Sequence, residues 1–139
     1  MKAELKFSEY EIEEITYKIN VLSEVEVMDD DENAPRLICN VIHSEEDNSR
    51  FIIKLGLELG DSNLSKNNIY LKCIVIGVFE QSKSAELNLV PNAVSILFPY
   101  LRSIISDVTS KGNRRPIILP PININEFLNR AEKMDETIE

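Results

Sequence analysis

The stretch SRFIIKLGLELG, residues 49–60, decides the fold class because apolar residues occupy every second position. These residues are Phe51, Ile53, Leu55, Leu57 and Leu59. Successive side chains of a strand point to opposite faces, so the stretch predicts a β-strand with one buried face. The next apolar stretch, NIYLKCIVIGVFE at residues 68–80, predicts a second strand, which is apolar on both faces.

Two further strands are predicted upstream, at about residues 5–20 and 35–43. In the first, the apolar positions change phase at Glu13-Glu14, which predicts a bulge or an edge irregularity. The segments between consecutive strands are rich in turn residues, and they are too short for the crossovers that parallel strands need. The sequence therefore predicts a four-stranded antiparallel sheet, arranged as a meander or a Greek key.

Helical periodicity begins after residue 90. The stretch SILFPYLRSII, residues 95–105, keeps its apolar spacing across Pro99, so we predict one helix, at about 92–111, that is kinked near the proline. A second helix is predicted at about 124–138. The expected fold is thus α+β, with the sheet followed by two C-terminal helices on one of its faces, in a single domain over residues 1–139.

The net charge of −9 is unevenly distributed. Residues 1–32 carry eleven acidic residues against three lysines, which accounts for −8 of the total. Such a balance repels phosphate backbones, so nucleic-acid binding is not expected. It suits a basic protein partner or simply favours solubility. Four acids of the first strand are candidates for an acidic partner surface: Glu9, Glu11, Glu13 and Glu14.

The residues that catalysis or metal binding would require are scarce. His43 is the one histidine, and no phosphate-binding loop or nucleophile motif is present. Cys39 and Cys73 lie in apolar stretches without CxxC spacing, which predicts reduced core thiols. We expect no enzymatic activity, no cofactor and no metal. Because no apolar run reaches the length of a membrane span, we expect a cytoplasmic protein without direct membrane insertion.

The strand predicted at residues 68–80 is apolar on both faces, and two helices can cover only one face of the sheet. An uncovered apolar strip predicts a partner, most simply another copy of the chain. The sequence therefore predicts a homo-oligomer whose apolar surfaces serve binding rather than chemistry.

The second half of the chain resembles the SecB family of protein-export chaperones. The resemblance rests on three segments: Ile96-Leu97-Phe98-Pro99-Tyr100, Ser110-Lys111-Gly112, and Leu119 with Pro121-Ile122-Asn123. It implies a dimer of dimers that holds unfolded preproteins on apolar surface without ATP and delivers them to the Sec motor ATPase, SecA. In the family, acidic residues of the sheet face engage the motor.

The chain departs from the family pattern after Gly112, where Arg114 and Arg115 replace the usual aromatic residue and proline, and at Ile124, where an aromatic residue is usual. Shorter members of the family protect an antitoxin instead of serving export, so the resemblance implies this role as an alternative function. A structural or adaptor oligomer is the third hypothesis. The candidate client or oligomer contacts are Tyr10, Phe51, Phe98, Tyr100, Ile124, Phe127 and Leu128. Core packing is the alternative role of each, and it is favoured for Phe51.

Overall fold

The computed structural model of the chain describes residues 5–20, 35–44, 49–64, 69–81, 89–119, 126 and 132–138. The strands are β1 (Leu5–Ile19), β2 (Arg36–Ser44), β3 (Arg50–Leu59), β4 (Ile69–Gln81) and β5 (Glu132–Ile138). One helix, α1 (Val90–Thr109), follows β4 in the chain. None of the helical residues described here forms a segment long and apolar enough to cross a membrane.

The strands form one sheet in the order β1-β4-β3-β2-β5. The neighbours β2, β3 and β4 run antiparallel as a meander, and β1 returns to pair antiparallel with β4. This order is that of a Greek key, so the predicted four-stranded antiparallel sheet is confirmed. The register of β1 shifts between Ile12 and Glu14, as the change of phase predicted, and also between Phe7 and Glu9.

One face of the sheet, called here the inner face, packs against α1. The alternation in β3 puts its apolar side chains on this face, and the matching positions of β4 lie beside them. From α1, the buried apolar residues are Ala93, Val94, Leu97, Phe98, Leu101 and Ile105. The side chains of Cys39 and Cys73 are buried in the same core, and burial raises the pKa of the Cys73 thiol to about 11. This thiol therefore stays protonated at neutral pH.

Gly77 sets how closely α1 approaches β4. A Cβ atom at this position would lie 3.1 Å from Cδ1 of Leu97 and 2.8 Å from Cε1 of Phe79. Both contacts are shorter than ordinary van der Waals distances, so any side chain here would push against the helix. The absence of a side chain allows Leu97, which is fully buried, to rest directly on the strand.

The helix α1 continues through Pro99, as predicted, although it begins two residues before the predicted start. Proline removes the hydrogen bond that its N–H would donate to the carbonyl four residues earlier. Both Pro99 and Ser95 lie on the exposed side of α1, where water can bond to the freed carbonyl. The proline is therefore tolerated because it lies opposite the core.

The predicted second helix, at about 124–138, is wrong for residues 132–138. These residues form β5, which pairs in parallel with β2 and adds a fifth strand to the sheet. The helical spacing of Met134 and Ile138 does not reveal that the edge of β2 offers free backbone groups for pairing. Of the remaining predicted helix, Glu126 is helical, and residues 124, 125 and 127–131 lie outside the described residues.

The segment after α1 is held against the helix by side-chain hydrogen bonds. The N–H of Ile117 donates to Oγ1 of buried Thr109 at 2.7 Å, and Nε of Arg102 donates to the carbonyl of Leu119 at 2.9 Å. Between these two anchors, Ile118 is 68% exposed. The chain is thus fixed to the helix at both ends of a short extended stretch.

Candidate functional site

Aromatic rings form a continuous row from the core to the surface. Phe51 stacks on Phe79 with ring centroids 5.6 Å apart, and Phe79 stacks on Phe7 at 5.0 Å. The ring of Phe7 lies 5.5 Å from that of Tyr100, and the rings of Tyr10 and Tyr100 lie 4.4 Å apart. These distances are typical of favourable aromatic pairs. We call this row the aromatic cluster; it joins β1, β3, β4 and α1.

The exposed end of the aromatic cluster continues into an apolar stripe along β1. Tyr10, Ile12 and Ile15 pair with Gly77, Val75 and Cys73 of β4, so their side chains belong to the inner face. Although α1 contacts β1 as well as β3 and β4, this part of the face stays partly exposed. We call this set the β1 stripe; its exposed fractions are Tyr10 42%, Ile12 48%, Ile15 38%, Ile19 39% and Tyr100 37%.

The structure divides the predicted contact residues into three groups. Tyr10 and Tyr100 come together at the surface as part of the β1 stripe. Phe51 and Phe98 are buried, with 3% and 6% of their surface exposed, so in the single chain they are core residues and not contacts. The reason is that Phe51 lies on the inner face of β3 and Phe98 on the covered side of α1. Ile124, Phe127 and Leu128 lie outside the described residues.

The predicted set omitted Phe7, Ile12, Ile15 and Ile19. The alternation within β1 contains the signal for the isoleucines, because Ile15 and Ile19 fall in one phase and Ile12 in the other, before the bulge. What the alternation does not reveal is that α1 leaves these positions open. Phe7 could be recognised only from its ring contacts with β4 and α1.

The four candidate acids lie along β1, and the sheet separates them into two pairs. Glu13 forms an ion pair with Nζ of Lys54 at 3.1 Å, and Glu14 forms one with Nζ of Lys72 at 3.7 Å. Glu9 and Glu11 make no ion pair within the part of the chain that the structure describes. Of the four candidate acids, Glu9 and Glu11 are thus the two whose charge no cation of the described residues balances.

Glu9 and Glu11 border a shallow depression on the outer face, the side of the sheet opposite α1. The depression has a volume of about 150 Å³ and is lined by these two acids together with Tyr10, Ile76 and Val78. In β4, Ile76 and Val78 are half-buried and pair with Glu11 and Glu9. A small apolar floor with two carboxylates at its border suits a side chain that combines apolar length with a positive charge.

A polar cluster joins β2, β3 and β4 at the other end of the outer face. The hydroxyl of Tyr70 donates to Oε2 of Glu58 at 2.6 Å, and Nε of Arg36 lies 3.2 Å from Oε1 of the same carboxylate. The hydrogen bond from Tyr70 lowers the pKa of Glu58 below its usual value, against the opposing effect of burial, and Arg36 lowers it further. Burial, reinforced by Glu58, raises the pKa of Tyr70 to about 12.

Replacing Tyr70 with phenylalanine is expected to lower the free energy of unfolding by about 1.5 kcal/mol, since a hydrogen bond to a charged group is lost. The pKa of Tyr70 is higher in the folded chain than in the unfolded one. The contribution of the Tyr70 hydroxyl to the free energy of unfolding is therefore complete below pH 10 and disappears as the pH rises towards 12. Urea unfolding at pH 8 and at pH 11 measures both effects. If the free energy of unfolding falls by the same amount between pH 8 and pH 11 in the wild type and in Y70F, the stabilising role assigned to Tyr70 is wrong.

Among the described residues, no group of three or more His, Cys, Asp and Glu side chains is arranged to hold a metal ion. The ring of His43, which is exposed on β2, lies 6.2 Å from that of Phe51. The features that the surface does present are the β1 stripe and the acid-bordered depression. Both combine apolar side chains with polar groups, as surfaces that contact polypeptide do.

Comparison with known proteins places this chain in a family. The family model described as preprotein translocase subunit SecB matches residues 40–134. An uncharacterised protein of Methanocaldococcus jannaschii is 33% identical over 97% of this chain and 89% of its own length. The protein-export protein SecB of Orientia tsutsugamushi is 26% identical over 70% of this chain and 62% of its own length.

A solved structure is also similar, with a TM-score of 0.63 and 11% sequence identity, covering 86% of this chain and 88% of the other. It is a SecB-like chaperone of Mycobacterium tuberculosis in complex with a ChAD peptide from an antitoxin. At this level of identity the likeness concerns the fold, which is thus of the SecB type. The family model matches more than half of the chain, and the chain therefore belongs to the SecB family.

Proposed function

We propose that this protein is an ATP-independent chaperone that holds unfolded polypeptide segments on apolar surface. The observation that carries the proposal is the β1 stripe, in which apolar and aromatic side chains stay exposed beside a strand edge. Among the described strands, β1 pairs only with β4, so its other edge presents unpaired backbone groups. Membership of the SecB family supports the same function.

The physical basis of such binding is desolvation combined with backbone pairing. An extended client segment can donate and accept hydrogen bonds along a free strand edge, and its apolar side chains gain free energy by leaving water. Backbone pairing is independent of sequence, so many clients can bind to one surface. Neither desolvation nor backbone pairing requires a nucleotide or a covalent step.

Replacing Ile12 and Ile15 together with serine is expected to weaken the suppression of aggregation of an unfolded model protein about tenfold or more, because apolar contact area is lost. The control is Ile118→Ser, the same substitution made once at an exposed isoleucine that follows α1 in the chain and does not belong to the β1 stripe. Light scattering of chemically unfolded citrate synthase diluted into buffer measures the effect. A wild-type protein that fails to suppress aggregation would contradict the chaperone proposal and favour a structural or adaptor oligomer.

Sedimentation velocity on the same variants tests homo-oligomerisation, which we also propose, in the form of a dimer of dimers. The β1 edge can pair with a second copy as well as with a client. If I12S/I15S sediments as the wild type does, the stripe is a client surface. If it becomes a monomer of 15.9 kDa, the stripe is an oligomer contact. A wild type that is monomeric at micromolar concentration would contradict the proposed oligomer.

We propose preproteins as the clients and delivery to the Sec export machinery as the outcome. The name of the matching family and that of the Orientia relative support this role. The alternative is an antitoxin client, supported by the antitoxin peptide bound to the similar chaperone of Mycobacterium tuberculosis. Affinity purification from the native host separates the two roles, because preproteins retain signal sequences and an antitoxin would be a single dominant species.

The acid-bordered depression favours a second, basic partner. We propose the motor ATPase SecA for this role, with Glu9 and Glu11 as its principal contacts. Glu13 and Glu14 contribute less because each is already paired with a lysine of the sheet. Delivery would then use the outer face, while the β1 stripe belongs to the inner face.

A further inference from the structure

The segment that follows α1, residues 111–119, carries a charge opposite to that of the whole chain. Its sequence, KGNRRPIIL, contains three cations, and no acidic residue occurs between Asp107 and Glu126. The whole chain has a net charge of −9. We call this segment the basic strap. A local excess of cations in an acidic chain is suited to an acidic partner, which the rest of the surface would repel.

Hydrogen bonds to α1 hold the basic strap in place. The hydroxyl of buried Thr109 donates to the carbonyl of Ile105 and accepts from the N–H of Ile117, each at 2.7 Å. Nε of Arg102 donates to the carbonyl of Leu119. The side chains of Ile117 and Leu119 also pack against the core. The strap is therefore ordered before a partner arrives, which lowers the entropic cost of binding.

The side of the strap that faces away from the core is open. Pro116 and Ile118 alternate with the two packed residues, and both are exposed. Backbone groups of an extended chain also alternate in direction. Because the N–H of Ile117 and the carbonyl of Leu119 face α1, the N–H and C=O of Ile118 face away from it. Neither group forms a hydrogen bond within the described residues.

The three cations of the strap are not equivalent. Lys111 forms an ion pair with Asp107 at 3.3 Å, and a cation at this position also favours the end of α1. Arg114 is half-buried and already interacts within the chain. Arg115 is exposed and forms no ion pair with a described residue. Arg115 is thus the cation that contacts within the described chain do not explain.

We propose that the basic strap is a docking site for an acidic polypeptide segment of a partner protein. An extended partner would pair with the N–H and C=O of Ile118, and its residue three positions along would lie opposite Arg115. A carboxylate at that position forms an ion pair, and an apolar residue opposite Ile118 leaves water. Three positions is an odd spacing, so a segment of alternating acidic and apolar residues meets both requirements.

Charge and backbone geometry favour a polypeptide over other anionic partners. The net charge of −9 opposes a phosphate backbone. An anionic lipid surface has no backbone groups to pair with Ile118, and the strap contains no aromatic residue to anchor it at the interface. An extended acidic polypeptide supplies both the charge and the backbone groups. The proposal goes beyond the chaperone function, since it uses neither the β1 stripe nor an unfolded client.

The probe is a fluorescein-labelled peptide of alternating glutamate and valine, and its binding is measured by fluorescence anisotropy at low salt. Arg115→Glu is expected to weaken binding about tenfold or more, because an ion pair becomes a repulsion. Ile118→Ser is expected to weaken it several-fold, because apolar contact is lost. The matched control is Arg50→Glu, the same change of charge on the outer face, which is expected to bind nearly as the wild type does.

Equal affinities of R115E and R50E for the probe would overturn the proposal, because only the net charge would then matter. A wild type that does not bind the probe would overturn it too. A peptide of alternating lysine and valine tests for damage to the fold. If R115E binds this second peptide at least as tightly as the wild type does, its loss of affinity for the acidic probe arises at the strap, as proposed. An equal loss for both peptides would contradict the proposal.

Other occupants of the strap give different results. Phosphatidylglycerol vesicles that bind the wild type but not R115E, without binding of the acidic probe, would assign the strap to a lipid surface. Self-association that R115E abolishes in sedimentation velocity, again without probe binding, would assign it to a second copy of the chain. Either result would overturn the proposal. So would a loss of citrate synthase protection in R115E as large as that in I12S/I15S, because the strap would then belong to the client surface.

Discussion

Replacing Leu97 with alanine is expected to lower the free energy of unfolding by about 2 to 5 kcal/mol. Leu97 is fully buried and lies on β4 at Gly77, so its removal leaves a cavity between α1 and the sheet. Urea unfolding followed by circular dichroism measures the loss. A loss below about 1 kcal/mol would show that the helix can settle into the cavity, in conflict with the close contact at Gly77.

The double-mutant cycle with Gly77→Ala gives this prediction a sharper form. Alone, G77A is expected to destabilise the protein by about 1 to 3 kcal/mol, because its Cβ would crowd Leu97 and Phe79. In the presence of L97A, part of that crowding disappears, since the leucine methyl groups are gone. The double variant should therefore be more stable than the sum of the two single losses predicts, by about 1 kcal/mol. Strict additivity would contradict the proposed contact.

Reversing the charge of Glu9 and Glu11 to lysine is expected to weaken binding to SecA by more than about tenfold at low salt, because two carboxylates at the proposed contact become cations. The difference should shrink as the salt concentration rises, since exposed charges are screened over about 10 Å at 0.1 M. Surface plasmon resonance at several salt concentrations measures both the affinity and its slope.

The matched control uses neutral replacements of equal net charge. E9Q/E11Q and E13Q/E14Q each remove two negative charges, but in the wild type only Glu13 and Glu14 are paired with lysines, Lys54 and Lys72. We therefore expect E9Q/E11Q to lower the affinity for SecA several-fold more than E13Q/E14Q does. Equal losses in the two variants would mean that only the net charge matters, and unchanged affinity in both would remove the acidic surface from the proposed contact.

Much of the fold was predictable from local pattern. The alternation in residues 49–60 predicted a strand with one buried face, and β3 buries those residues against α1. The apolar spacing around Pro99 predicted one unbroken helix, and the change of phase at Glu13-Glu14 predicted the irregularity of β1. These features are predictable because the periods of a strand and a helix are properties of the backbone itself.

The candidate site was predictable only in part. Sequence pattern identified Tyr10, Tyr100 and the acids of β1, but it also selected Phe98, which is buried. Whether an apolar side chain belongs to the core or to the surface depends on how much of the sheet α1 covers. Local sequence periodicity does not predict that coverage. For the same reason, the ion pairs that separate Glu13 and Glu14 from Glu9 and Glu11 could not be foreseen.

The sequence by itself determined the strand segments, the short connections that favour antiparallel neighbours, the helix across Pro99 and the resemblance to SecB, since each depends on residues close together in the chain. Only the tertiary structure decided that residues 132–138 are a strand, because pairing with β2 joins positions about ninety residues apart. The helical spacing of Met134 and Ile138 is a local preference. An open strand edge can override it, since every unpaired backbone group there gains a hydrogen bond when a strand is added.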